Sequence, residues 1–473
     1  METLQRTANR GSVSTGYEID NSCMFDWNGT NTAGNGQSYM YDTSWTGTPT
    51  STTTGCFSTW FKNSLSNPTN SLGVASFVNN YSDGNNRSYI MGDWGSGGNF
   101  VFGQKVSGSW NFRVVSNALY RDPAAHYHFF AVWDTSNSTE SERIRLYVNG
   151  ERITSLSDQI YPSQNQECYI VSKEDFSVGR AYSSVYGNFT HGYMAETHFV
   201  DGTAYAPTDF GEFDEDSGIW KPKQVSVSYG NKGFYLDYKD ASNLGNDASG
   251  NNRDLTLSAI DSTNQATDTP TNNGCTLNIL ASLEGSNDIT EGGLVSTGGS
   301  GSLNGTYGTM GIDPFNSTVD WYWEIEASST TNGSSDDIGI GWIKESRITS
   351  GSTTAGNVYG DGISRYSSQT ATSAGDIWGV LLETGTTPVF KLYRNDSLIY
   401  TATHGSGGVS FDTLMFPYIT VKGTGTDARL NFLNPASSFS IASGNTDPNG
   451  YGNFEFDTKN GYALCTKNLA EYG

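Results

Sequence analysis

Sugar hydrolysis needs two carboxylates flanking the scissile bond, and alternate residues of a strand share a face, so acids two residues apart are the first pattern of interest. Glu212-Phe213-Asp214-Glu215-Asp216 has that alternation, but it sits among Gly and Ser ahead of IWKPK, where a solvated acidic loop is expected. Glu324 and Glu326 alternate in WYWEIEA (321–327), opposite Trp321, Trp323, Ile325 and Ala327, which predicts a polar outer strand face. Calcium takes hard oxygen ligands, which Asp214 and Asp216 with the carbonyl near Gly218, or Asp336 with Asp337, could supply. Neither set continues into a loop with a terminal Glu. The five histidines, at 126, 128, 191, 198 and 404, show no HExxH spacing, and no GxxxxGK[ST] phosphate loop occurs. His126 and His128 share a strand face, a pairing more often structural than metal-binding.

Saccharides call for flat aromatic faces and short polar groups on nearby loops. Asp93, Trp94 and Asn99 lie among glycines in MGDWGSGGNF (91–100), which marks that turn as the candidate carbohydrate site. The competing expectation is a hairpin corner with Trp94 folded onto the body of the protein.

These residues need elements to position them, and the pattern throughout is of short alternating runs broken by Gly, Asn, Asp and Ser, an all-β signature. YHFFAVWD (127–134) and RIRLYVNGERI (143–153) predict a hairpin closed at Asn149-Gly150, with Leu146 opposite Ile153. IWGVLLE (377–383) and VFKLYRNDSLIY (389–400) repeat the design, with Asn395-Asp396 at the turn and Leu392 facing Ile399. Two copies predict two sandwiches, one at 21–257 and one at 274–460. A polar linker is expected at 258–273, an N-terminal segment with an anchoring role at 1–20, and a tail at 461–473. In the second half, DIGIGWI (337–343) puts glycines on one face, and Pro417 in MFPYITV predicts an edge strand or a bulge. The stretches 328–337 and 344–375 are expected as loops.

Composition narrows the partners. Lys and Arg total 26 against 49 Asp and Glu, for a net charge of −23, which opposes a nucleic-acid surface. Aromatic residues make up 13% of the chain, which argues against disorder. Five scattered cysteines without a CxxC pair argue against a disulfide framework and against a zinc site. No run of 18 apolar residues and no apolar leader core occur, so neither membrane insertion nor an export signal is expected.

The ordered strings CFSTWFK (56–62), HYHFFAVWD (126–134), RIRLYVNGERI, FSVGR (176–180) and FTHGYMAETHFVDGTAYAP (189–207) resemble the concanavalin A-like superfamily in its laminin-G-like form. WYWEIE, IGIGWI, GDIWGVLLE, FKLYRNDSLIY and FPYI resemble a SPRY domain. The junction strings DFGEFDEDSGIWKPK (209–223), GFYLDYKDASNLGNDASGNNRDL (233–255) and DTPTNNGCTLN (268–278), with GYALCTKNL (461–469), are similar to tandem lectin-like and SPRY-like proteins encoded largely by marine bacteriophages. The resemblance implies two tandem jelly-roll sandwiches in a non-enzymatic virion protein of a tail fibre, head fibre or capsid surface, made in the host cytoplasm. It implies other virion proteins, copies of itself and a host-surface glycan or protein as partners, with no cofactor beyond calcium. A glycan hydrolase of the same superfamily is the alternative, although the E-x-D-x-x-E pattern expected there lacks its last Glu after Glu212. A purely structural spacer is the third.

Overall fold

The computed structural model describes residues 16–26, 37–64, 74–93, 98–181, 189–284, 288–298, 304–328, 338–350, 364–367, 373–407, 409–421 and 426–473. The chain is all-β and divides into two compact units, one running to Thr271 and one from Asn272 to Gly473. Among the described residues no helix is long and apolar enough to cross a membrane.

The first unit is a sandwich of two antiparallel eight-stranded sheets. Sheet A runs Glu151–Arg152, Ile144–Val148, Tyr127–Asp134, Thr54–Asn63, Gly192–Asp201, Ser22–Phe25 and Gln265–Ala266, with Phe234–Leu236 also paired to Gly192–Asp201. Sheet B runs Leu156–Ile160, Ser109–Ser116, Asn99–Val106, Asn86–Asp93, Val74–Asp83, Asp175–Val178, Tyr39–Asp42 and Thr256–Ser258. Their inner faces meet in an aromatic core. Phe57, Phe129 and Trp133 of sheet A pack with Phe77, Phe100 and Phe102 of sheet B, and the Phe77 and Phe129 rings lie 4.9 Å apart. The predicted hairpin is present: Asn149 and Gly150 have φ of 49° and 78°, and the Ile153 amide donates to the Leu146 carbonyl.

The second unit pairs a five-stranded sheet with an eight-stranded one around Trp321, Trp323, Trp342 and Trp378. Asn395 and Asp396 make the turn with φ of 47° and 67°. The expected register beyond it is corrected: Leu392 faces Tyr400, because a bulge places Ile399 outside the ladder, where it is exposed. Pro417 lies in the central strand of the five-stranded sheet rather than at an edge. It stands where the ladder to Asn304–Gly308 stops at Tyr307–Tyr418, so a missing donor costs little there. Within 344–375, the described residues form a helix at Glu345–Ser350 and a strand at Ser364–Ser367, not a continuous loop. The expected loop at 328–337, with Asp336 and Asp337, lies outside the described residues apart from Ser328.

The linker expected at 258–273 belongs to the first sandwich as far as Thr271, and Asn272 and Asn273 to the second unit. Gln265–Ala266 pairs with Ser22–Cys23, and just beyond it Asp268 is 2% exposed. Its carboxylate accepts from Lys62 Nζ at 2.7 Å and from His126 Nε2 at 2.8 Å, both themselves buried. Burial opposes the Asp268 charge, but Lys62 and His126 outweigh it and hold the carboxyl below its usual value. A polar-looking segment is thus drawn inside because its one key acid satisfies two buried donors. The start of the described chain also belongs to this unit, since Ile19 is buried and exchanges hydrogen bonds with the Thr271 hydroxyl.

The polar outer face expected around Glu324 is likewise corrected. Glu324 is fully buried beneath the segment that ends the chain, accepting from the amides of Glu455 (2.9 Å) and Phe456 (2.8 Å), the Tyr322 hydroxyl and Asn431 Nδ2. Glu326 is buried beside Arg429. The expected tail is structured too: Tyr462–Ala463 runs parallel to Trp321–Tyr322, and Thr466–Tyr472 is helical.

Removing the acid from the buried Lys62–Asp268–His126 group leaves a buried cation without its acceptor, so Asp268→Ala is expected to cost about 3–5 kcal/mol in urea unfolding of the first unit. Burial pushes the Glu324 carboxyl up to about 7 from 4.5, against the pull of its donors. A carboxyl that holds its proton more tightly folded than unfolded favours folding below pH 4.5, and that contribution is withdrawn as pH rises toward 7. Urea midpoints between pH 4.5 and 7 are therefore expected to fall less steeply in Glu324→Gln than in the parent chain.

Candidate binding face

Alternation along sheet B divides its residues cleanly. Phe100, Phe102, Phe112 and Val114 face the core, while Tyr89, Met91, Val101 and Val115 form a separate cluster on the outer face with Trp110. Gly103 lies in this outer face, and a Cβ there would stand 3.1 Å from the Trp110 ring and 3.3 Å from the Tyr89 ring. The absent side chain lets both rings settle on the backbone, edge to face with centroids 5.9 Å apart. Opposite Tyr89 stands Asn79, fully buried and with neither side-chain polar atom hydrogen-bonded. Unmet polar groups of this kind are uncommon in cores and mark a place to look for function.

One row of this face is half-buried rather than buried. Tyr81 pairs with Arg87, Arg87 with Lys105, and Lys105 with Trp110, so four side chains line up across four neighbouring strands. Three steps of about 4.8 Å make the row about 14 Å long. Lys105 Nζ lies 4.6 Å from the Trp110 ring centre and the Arg113 guanidinium 5.2 Å from it, while Arg87 lies 5.9 Å from the Tyr89 ring. At the far end Arg180 donates to the Tyr81 hydroxyl at 3.4 Å and sits 4.1 Å over Tyr39. Arg113 also pairs with Asp158 at 2.7 Å. Dehydration lowers the Lys105 ammonium pKa, helped by the charges of Arg87 and Arg113. The arrangement presents one indole, one phenol and several cations along a line, which can stack against a sugar ring and pair with polar or charged substituents.

The residues singled out from sequence divide differently. Asp93 ends the strand before the turn and pairs in register with Asn99, but its side chain and Trp94 lie outside the described residues. Asn99 is corrected: it is buried and donates to the Ser116 carbonyl at 2.6 Å, so it ties two strands together instead of facing a ligand. The Asp93–Asn99 turn and the half-buried row lie toward opposite ends of the same pair of strands. The missed row could have been found from the opposite turns, Asp83–Asn86 and Ser107-Gly108, since Tyr81 with Arg87 and Lys105 with Trp110 flank them.

At the expected calcium ligands Asp214 and Asp216, the structure shows Asp214 engaged within its own loop. Asp214 accepts from the Ser217 amide and hydroxyl at 2.9 Å, from the Asp216 amide, and from Lys221 Nζ at 3.0 Å, contacts that hold its carboxyl well below the usual range. Lys221 also lies 3.6 Å from Glu212, so a lysine already sits between the two acids once considered as a catalytic pair. Among the described residues, no group of three His, Cys, Asp or Glu side chains is placed to hold a metal.

A different pair has catalytic spacing: Ser58 Oγ lies 2.8 Å from His128 Nε2. Trp220 Nε1, which can only donate, points to His128 Nδ1 at 3.1 Å. The Nε2 atom therefore carries the proton in the neutral ring, and it donates to Ser58 rather than accepting from it. Burial, with the charge of His198, pushes His128 down to about 3, so this tautomer persists across ordinary pH. Nearby, Glu196 takes up a positive φ of 48° in a bulge and accepts from Tyr235 at 2.7 Å and Tyr17 at 3.2 Å. Both clusters cement the outer face of sheet A.

No family model and no curated protein matches the chain. Among solved structures, a human SPRY domain is similar at 16% identity and a TM-score of 0.22, covering 29% of this chain and 91% of that one. Lectin I-B4 from Griffonia simplicifolia is similar at 11% identity and a TM-score of 0.19, over 33% of this chain and 88% of the lectin. Tailspike protein 2 from Escherichia coli O157:H7 bacteriophage CAB120 is similar at 11% identity and a TM-score of 0.25, over 43% of this chain and 28% of the tailspike.

Because Ser58 receives a proton from its histidine, a fluorophosphonate probe is expected to leave the folded protein unmodified by intact-mass measurement. Labelling at Ser58 would restore a hydrolase reading.

Proposed function

We propose that this protein is a non-catalytic, glycan-binding component of a bacteriophage particle surface, in a tail fibre, head fibre or capsid decoration. The observation that carries glycan binding is the half-buried Trp110–Tyr81 row on the outer face of sheet B, where aromatic rings and hydrogen-bonding cations share one line. A rigid sheet suits such a role, because strands hold ring positions with little entropy left to lose on binding. The virion assignment is supported by the junction strings 209–223 and 233–255, whose resemblance is to phage-encoded tandem sandwiches. Self-association fits the strand Ser397–Thr403, which exposes Leu398 and Ile399 and stands at the edge of its sheet among the described residues. Other virion proteins and a host-surface glycan are the proposed partners, and calcium is not required by the proposed site.

Trp110→Ala is expected to weaken binding at least tenfold on a glycan array or on host cells, with the far-UV circular dichroism unchanged. Unaltered binding would remove this face from the proposal. Absence of the chain from purified particles by mass spectrometry would remove the virion role.

A further inference from the structure

We infer that the ligand of this face is an acidic polysaccharide, laid along the row from Trp110 past Lys105 and Arg87 to Tyr81, with its carboxylates or sulfates paired to the cations. This rests on the glycan-binding reading above and names the class of glycan. The first support is local charge reversal. Acids outnumber Lys and Arg by 49 to 26 over the chain, yet Lys105 and Arg113 gather around one indole and Arg87 stands over the neighbouring Tyr89 ring, with Asp158 paired to Arg113. A chain of net charge −23 repels polyanions on the whole, so a polyanionic ligand is favoured where cations stand together.

The second support is the state of the indole. Lys105 Nζ already lies over the Trp110 ring at 4.6 Å and makes no ion pair among the described residues. A neutral sugar stacking there displaces the ammonium and returns only hydroxyl hydrogen bonds, with no charge to balance it. An acidic sugar offers the displaced ammonium a partner and relieves its repulsion from Arg87 and Arg113. The third is shape. A row about 14 Å long, crossing four strands and ending at Tyr81, where Arg180 and the in-register Asp175 meet, fits an extended polymer better than a single sugar.

The test uses the full chain in biolayer interferometry against immobilised polygalacturonate and dextran sulfate as acidic probes. Dextran and laminarin are the neutral probes and duplex DNA a non-saccharide polyanion, at 50 and 300 mM NaCl. The expected result is binding of an acidic polysaccharide that weakens at least tenfold in Arg87→Gln/Lys105→Gln and falls with salt, with DNA and neutral polymers bound more weakly. Lys105→Glu, a single change at a half-buried position, is the companion should the double variant fold poorly, and it is expected to weaken acidic binding at least as much. Equal binding of neutral polymers, unaffected by these variants but lost in Trp110→Ala, would overturn the acidic assignment and leave glycan binding standing. DNA bound as tightly as the acidic polysaccharides would overturn the saccharide in favour of charge alone. Acidic binding unchanged in the variants would overturn the site, and no binding by any polymer would overturn both readings.

Discussion

A β-strand sends successive side chains to opposite sides, so each apolar residue committed to a sandwich core obliges its neighbour to be accommodated on the outer face. Three outer faces in this protein show three solutions. Sheet A carries Trp60, His128 and Val200 outward and covers them with chain from 205 to 229, where Trp220 and Phe210 close over the strands. The strand Trp321–Ala327 turns Tyr322 and Glu324 outward and covers them with residues 453–463, held by two backbone amides on one carboxylate. Sheet B covers only part of its outer face, and the half-buried row that is left carries Arg87 and Lys105 between Tyr81 and Trp110.

Much of this fold could be read from local pattern. The Asn149-Gly150 turn sets its own register through two positive φ values, and the alternation of WYWEIEA separates the Trp face from the Tyr and Glu face without reference to anything distant. What could not be read locally was the environment of the second face. Whether Glu324 meets water or protein depends on amides 131 and 132 residues further along the chain, and no period in the strand carries that information. Asp268 failed for the same reason, since a stretch rich in Asn, Thr and Asp looks like a linker until Lys62 and His126 are known to face it. Ile399 was misplaced on a smaller scale: a bulge one residue long shifts everything beyond it, and an alternating pattern contains no mark of the insertion.

The candidate site followed the same division. The Asp93–Asn99 turn drew notice because Gly, Asp and Trp cluster in sequence, whereas the Trp110–Tyr81 row is assembled from four strands and is contiguous only in space. Pairs of acids and of histidines two apart are engaged by their neighbours. Lys221 occupies the first pair, and the hydrogen bond from Trp220 sets the tautomer of His128. Spacing alone gives which side chains can meet; the protons and charges they meet there decide what they can do.

The Asp268 clasp has a bearing on how the protein is made. Its partners lie 206 and 142 residues earlier, and the sheet-edge pairing of Gln265–Ala266 returns to residues near the start of the described chain. A nascent chain emerging from the ribosome therefore presents both sheets of the first sandwich with Lys62 and His126 still waiting for their acceptor. Closure of that core must lag until residue 268 is outside the exit tunnel, a long-range dependence that slows folding and prolongs exposure of the aromatic interior. The second unit begins only four residues later, so its strands are still inside the tunnel at that moment and the first sandwich can seal before they emerge.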